Sequence, residues 1–260
     1  MKKRCPYCGE RVKKREYEDH ISKMHGLEGE GEGVKEEFEC LLDCVRCCED
    51  PGAPLELTIG DMIRISGHLG VSAENLFQRY CFVMWNMIPN TRTLIPSIGL
   101  RFPCGFLRDG RCVIYEIRPL HCRLFPEALF VNLVPERLEA FTGTGYKCID
   151  RGFEMGEGRK EFMKRLSEID EEEMSSTAKY FDNFRYCVEL TPEEYNMVKS
   201  LIVGVDKMER NERRRELCTE MIDRELREKA RVGFLNKIKK LDEERDLERY
   251  DRLGKFLDLR

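Results

Sequence analysis

FPCGFLRDGRCVIYEIRPLHCRLFP, residues 102–126, carries Cys104, Cys112 and Cys122 but no sustained hydrophobic period. Without a period of 3.6 or 2 the stretch reads as short strands and turns rather than a long element. Asp109-Gly110 is a two-residue hairpin signal, with Leu107 and Val113 on its arms. Pro119 and Pro126 bracket Cys122 and restrict its backbone. Arg118, His121 and Arg123 bring positive charge to the thiols, which lowers thiol pKa values and offsets the charge of a thiolate-bound ion. Tyr115 and Phe125 read as core, and His121 as a partly exposed polar side chain rather than a ligand. The segment therefore reads as the lid of a metal site.

Upstream stands Cys40-x3-Cys44-x2-Cys47-Cys48, and downstream Cys148. If residues 40–47 are helical, Cys40, Cys44 and Cys47 share one face; if they form a loop, the same spacing wraps a cluster. The Cys48 side chain should point away from that of Cys47, which implies a second site or one thiol that is not a ligand. Eight cysteines suffice for two four-coordinate sites, or for one iron–sulfur centre plus spare thiols. Cys40, Cys44 and Cys47 are the primary ligand candidates, with Cys104, Cys112, Cys122 and Cys148 competing to complete the set. Cys81, Cys187 and Cys218 have no partner in register and read as isolated buried or half-buried thiols.

The chain has 260 residues, 41% apolar and 36% charged, with a net charge of −4, so no global field draws it to nucleic acid or a membrane. No stretch approaches the ~18 apolar residues of a membrane span. The start, MKKRCPYCGERVKK, lacks an apolar signal core, so a cytoplasmic protein is expected. In a reducing compartment thirteen cysteines serve as ligands, nucleophiles or buried apolar groups rather than disulfides. The abundance of Glu, Lys and Arg would suit a thermophile, where intracellular disulfides do occur.

Residues 1–25 hold Cys5-x2-Cys8, eleven residues, then His20-x4-His25. This is the spacing of a zinc site with two thiolates from a knuckle and two imidazoles from a helix. Val12 and Tyr17 would form its small core. The unit resembles C2H2 zinc fingers, and the resemblance implies a structural zinc ion that supplies its folding energy. A single finger is a weak basis for DNA readout, so protein docking or a structural role stands ahead of nucleic-acid binding. Residues 26–37, GLEGEGEGVKEE, read as a flexible, self-repelling linker.

Residues 38–150 form the cysteine-cluster domain. Thr58 caps a helix with Asp61 in its first turn, and Gly70 closes it. Ser72 then caps a second helix, AENLFQRYCFVMWNM, on whose face Leu76, Phe77, Tyr80, Val83, Met84 and Met87 recur. The pair has the look of a helix-turn-helix, but its acidic surroundings favour packing beside the cysteines as an apolar wall. Leu129–Val134 and Leu138–Phe141 are candidate paired strands. Residues 151–260 read as a charged helical extension, with Thr191-Pro192 starting a helix and the last forty residues forming a long amphipathic one. Its apolar stripe is a candidate contact for an unknown protein partner. The fold class is α+β, mainly α.

Jointly, the CC-ending cluster at 40–48, Pro103-Cys104-x2-Leu107, Cys112-x-Ile114-Tyr115-Glu116-x-Arg118-Pro119 and Cys122-Arg123-x-Phe125-Pro126 resemble the signature of the CxxCxxCC family of zinc- or iron-chelating domains. The resemblance covers roughly residues 38–150, and three residues separate Cys40 from Cys44 where the family name has two. It implies metal binding by Cys40, Cys44, Cys47, Cys48, Cys104, Cys112, Cys122 and Cys148. Because such proteins are often called iron–sulfur oxidoreductases, it puts an iron–sulfur centre of the four-iron type, with a redox or electron-transfer role, ahead of zinc in a regulatory or scaffold protein. Cys40-x3-Cys44-x2-Cys47 is also the spacing of radical S-adenosylmethionine enzymes, but a Gly/Glu linker precedes it here and no series of strand–helix units follows. No nucleophile–base pair, phosphate loop or nucleotide motif is present.

Overall fold

The computed structural model describes residues Lys2–Arg4, Arg11–Lys13, Glu16, 45–49, 55–88, 90–128, 145–150, 155–200, 216–244 and 250–257. The chain divides into two compact units, Met1–Glu36 and Glu37–Arg260. In the first, strand β1 (Lys2–Arg4) pairs antiparallel with β2 (Arg11–Lys13), Lys2 opposite Lys13. Cys5, Cys8, His20, His25 and the expected linker at 26–37 lie outside the described residues.

The second unit is α+β and mainly helical, with small antiparallel sheets. Helix α1 (Arg46–Glu49) is a single turn. Helix α2 (Ile59–Leu69) starts at Thr58, whose hydroxyl accepts the Asp61 N–H while the Asp61 carboxylate accepts the Thr58 N–H, each at 3.0 Å. Gly70 closes it in the left-handed conformation at φ 63°. Ser72 caps α3 (Ala73–Tyr80) by accepting the Asn75 N–H.

The helix expected to run on to Met87 ends at Tyr80. Residues Cys81–Met87 instead form strand β3, paired along its whole length with β4 (Thr93–Leu100). Val83, Met84 and Met87 fit a helical face, but CFVMWNM is rich in residues that suit a pleated surface, and its partner TLIPSIGL is close at hand. The partner strand decides. Pro96 fits this sheet because its missing N–H faces the same edge as the Leu100 N–H, which bonds the Leu55 carbonyl at 2.9 Å. Along that edge Pro96 falls between the bridge from Glu56 to Gly99 and the pairing of Leu94, so no ladder bond is lost.

The hairpin of β5 (Leu107–Arg108) and β6 (Arg111–Cys112) follows, then short helices α4 (Leu120–Leu124) and α5 (Lys147–Asp150). The expected strands at Leu129–Val134 and Leu138–Phe141 lie outside the described residues. Helix α6 (Glu157–Phe181) leads to β7 (Val188–Glu189), a strand that sequence periodicity did not reveal and that pairs with β4 at Thr93 and Leu94. Helix α7 (Pro192–Ser200) opens as Thr-Pro-Glu-Glu predicts: the Thr191 hydroxyl accepts the Glu194 N–H, and the Glu194 carboxylate accepts the Thr191 N–H.

The last forty residues do not form one helix. Helix α8 (Arg224–Leu241) is capped by Asp223, and the last described helix is the short α9 (Arg252–Phe256). Ala230, Phe234, Ile238 and Leu241 of α8 are buried in the unit's own interior. Phe234 stacks on Phe181 of α6 with centroids 4.6 Å apart. Both join Met62, Ile65, Leu76 and Ile98 in one core, where each fully buried side chain contributes about 1.5–3 kcal/mol. Helices α6 and α8, from the stretch read as an extension, thus share a core with the cysteine-bearing stretch. No described helix is long and apolar enough to cross a membrane.

Candidate metal centre

Backbone hydrogen bonds bring the first cysteines together. The Cys48 N–H bonds the Val45 carbonyl at 2.8 Å, and the Cys104 N–H bonds the Cys48 carbonyl at 2.7 Å, tying two cysteine-bearing segments into one edge. From Cys104 the chain turns back, the Leu107 N–H bonding the Cys104 carbonyl at 3.0 Å. In the hairpin that follows, Leu107 lies opposite Cys112. Asp109 at φ 49° and Gly110 at φ 74° give the turn two left-handed residues, the geometry that Asp-Gly favours. Cys112 is thereby returned to Cys104.

The lid closes the other side. A 3-10 turn, Tyr115–Ile117, passes through Arg118 and Pro119 into α4, which carries Cys122. The Phe102–Pro103 and Phe125–Pro126 peptide bonds are cis. Cys148, on α5, is buried with Tyr146 and Ile149, and Cys47 and Phe125 pack against this patch.

The thiols act on one another. The Cys48 thiol, expected to point away, hydrogen-bonds the Cys47 sulfur. That bond outweighs the opposing effect of burial and, with help from a backbone N–H and Arg118, brings the Cys47 pKa down to about 7. Cys48 moves the other way, raised by the same bond, by burial and by the charges of Cys47, Cys104 and Cys112. Burial pushes Cys104 up to about 11 and raises Cys112. Burial, then the neighbouring Cys47, puts Cys122 well above the ordinary thiol value. Cys48, Cys104, Cys112 and Cys122 each feel the charge of the Cys47 thiolate.

Of the three expected cations, only Arg118 favours the thiolates of Cys47, Cys112 and Cys122. Its guanidinium lies 4.3 Å over the Tyr115 ring, and its Nε is buried with no hydrogen-bond partner among the described residues. Arg123 is taken up by the carbonyls of Glu116 and Arg118. His121 is half-buried and turned toward carboxylates, with its Nε2 3.2 Å from Asp170 Oδ1 and its Nδ1 3.3 Å from the Glu56 N–H. Burial disfavours the imidazolium, but Asp170 and Glu56 outweigh it and lift the pKa to about 9. The Glu56 contact needs the neutral ring, whereas the charge of Asp170 favours the imidazolium.

Cys47, Cys48, Cys104, Cys112 and Cys122 therefore lie near enough to feel one another's charge, with Cys148 packed against Cys47; Cys40 and Cys44 lie outside the described residues. Cys81 is a buried thiol beside Cys104, lifted by burial to about 12, and Cys218 is buried as expected. Cys187, expected to be at least half-buried, is exposed, because it lies in the connection between the 3-10 turn at Asn183–Tyr186 and β7.

Among the described residues no group of three or more His, Cys, Asp or Glu side chains stands at metal-binding geometry. In donor chemistry the residues do fit a thiolate-ligated metal: half-buried and buried thiols that act on one another, with one guanidinium against them.

Sequence reasoning missed what fastens the lid. The Asp61 carboxylate, read only as a first-turn acid, is fully buried and accepts the Leu120 N–H at 2.9 Å, two residues before Cys122. Its place between the buried Ile59 and Met62 is the signal that could have found it, since an acid on an apolar face needs partners.

Residues 39–149 match the model of the CxxCxxCC family, described as "Putative zinc- or iron-chelating domain". The match supports metal binding by this stretch, with zinc or iron as the ion. No curated protein and no solved structure matches the chain.

Proposed function

We propose that the central cysteines hold an iron–sulfur centre of the four-iron type in a redox or electron-transfer protein, an iron–sulfur oxidoreductase or an accessory to one. The observation that carries this reading is the backbone bond that joins the Cys48 and Cys104 segments, together with the charge that Cys47, Cys48, Cys104, Cys112 and Cys122 exert on one another and Arg118 as the cation favouring the thiolates of Cys47, Cys112 and Cys122. Bound there, such a centre supplies one-electron chemistry.

The chain's own residues supply the setting. Cys47 is the thiol readiest to give up its proton. Arg118 offsets the charge that accumulates as further thiols ionise. Phe106 and Ile114, buried in one cluster with Cys104, keep water from that side of the site. Cys40, Cys44 and Cys47 are the primary ligands in this reading, completed from Cys104, Cys112, Cys122 and Cys148. A reducing cytoplasm suits a site of free thiols.

A second reading puts zinc in the centre and makes the chain a regulatory or scaffold protein that docks a protein or nucleic acid. Supporting it, β1 and β2 pair on either side of Cys5 and Cys8, as the strands of a ββα finger do. Under both readings Cys5, Cys8, His20 and His25 hold a structural zinc ion. Replacement of Cys44 by Ser tests the ligand set: central metal should be lost while the finger's zinc stays. Unchanged metal content would overturn the assignment.

A further inference from the structure

A buried charge network outside the thiol site joins its lid to the end of the chain. Asp61 Oδ1 accepts both the Leu120 N–H, at 2.9 Å, and Arg64 Nη2, at 2.5 Å. The other arm of Arg64 bonds Asp251 and lies 3.7 Å from Glu173 Oε1. Glu173 Oε1 in turn accepts the Leu253 N–H at 2.8 Å, while its Oε2 accepts the Thr58 hydroxyl at 2.6 Å. Asp251 also caps α9 by accepting the Gly254 N–H. A second, apolar tie runs in parallel: Leu120 and Leu253 are both fully buried, in one cluster with Met163, Leu166 and Ile169. Gly60 allows the approach, since a Cβ there would stand 2.6 Å from Glu173 Oε2 and 2.8 Å from the Tyr250 carbonyl oxygen.

We propose that Asp61 is a positioning residue for the Cys122 segment and that Arg64, Glu173 and Asp251 latch residues 250–257 to it, so that metal loading and docking of the C-terminal segment are coupled. The inference rests on the reading of Cys122 as a ligand. Its logic is reciprocal: a segment that holds α4 in its metal-ready place is itself held more firmly once metal fixes α4. Three carboxylates meet one guanidinium here, and burial followed by the Asp61 charge pushes the Glu173 carboxyl up to about 7. The latch is thus well connected yet short of positive charge, as a contact that can yield should be.

The test titrates the reduced, metal-stripped full chain with zinc and follows amide exchange. The Cys47→Ser chain, which keeps its finger, serves as reference. Zinc should slow exchange in residues 251–257 about tenfold in the wild type and not in Cys47→Ser. Asp251→Asn should weaken the central zinc about tenfold. Asp242→Asn, which weakens the contact to the Ala73 N–H at the start of α3 and leaves the network intact, should change it less than about twofold. Zinc bound centrally with exchange at 251–257 unchanged, or Asp251→Asn binding like wild type, overturns the coupling and leaves the metal-site reading standing. Equal zinc in wild type and Cys47→Ser overturns the metal-site reading, and the coupling falls with it.

Discussion

Cys112 and Cys122 approach one site on two different kinds of scaffold. The Cys112 wall is local: a hairpin turned by Asp109-Gly110, with Cys104 and Cys112 eight residues apart and linked through Leu107. The Cys122 wall is long-range: Leu120 is held by Asp61, 59 residues away, and Asp61's partner Arg64 is held by Asp251, 187 residues away. Local turns can form before the rest of the chain folds, whereas the buried charges are satisfied only once the distant segments have met. Damage to the first wall should stay near the thiols. Damage to the second should reach the whole unit.

The sharpest way to break that contrast is Arg64→Met. It leaves Asp61, Glu173 and Asp251 without their cation, and truncating one member of a buried charge cluster costs about 3–5 kcal/mol. Urea unfolding of the metal-stripped chain should show the loss; a midpoint equal to that of the wild type would mean that the network does not support the fold.

Next comes a pH effect on the same wall. The Glu173 pKa rises from 4.5 to about 7 on folding, so the folded chain holds a proton that the unfolded chain releases. This group's contribution is therefore greatest below pH 4.5, declines as pH climbs, and is gone above about 7. Glu173→Gln, which cannot ionise, should flatten this part of the stability profile. An unaltered slope between pH 5 and 7 would assign the titration to another group.

The smallest effect belongs to the local wall. Gly110→Ala places a Cβ at φ 74°, at a cost of about 1 kcal/mol. It should weaken central metal binding with little change in the exchange of α6 and α8. Broad loosening of those helices would erase the distinction between the two walls.

The same distinction explains what could be read from sequence. Thr58 as a cap, Asp61 as a first-turn acid, Gly70 as a helix end, Asp109-Gly110 as a turn and Thr191-Pro192 as a helix start all act within four residues, and each appears where expected. The cysteine pattern was legible for the same reason, spacing being a local quantity. Residues 81–87 were misread because their apolar positions suit a helix or a strand, and pairing with Thr93–Leu100 decided between them. The second role of Asp61 was hidden: nothing near it in sequence shows that Leu120, Glu173 and Asp251 gather there. His121 looked like a neighbour of the thiols, yet Asp170 on α6 takes it.

Metal and acid-labile sulfide analysis with a visible spectrum, on protein purified without oxygen, tests the central claim most directly. The account predicts iron and sulfide with a broad brown charge-transfer absorption, alongside about one zinc ion from the finger. A colourless protein holding only zinc would contradict the iron–sulfur centre and leave the chain as a zinc-binding regulatory or scaffold protein.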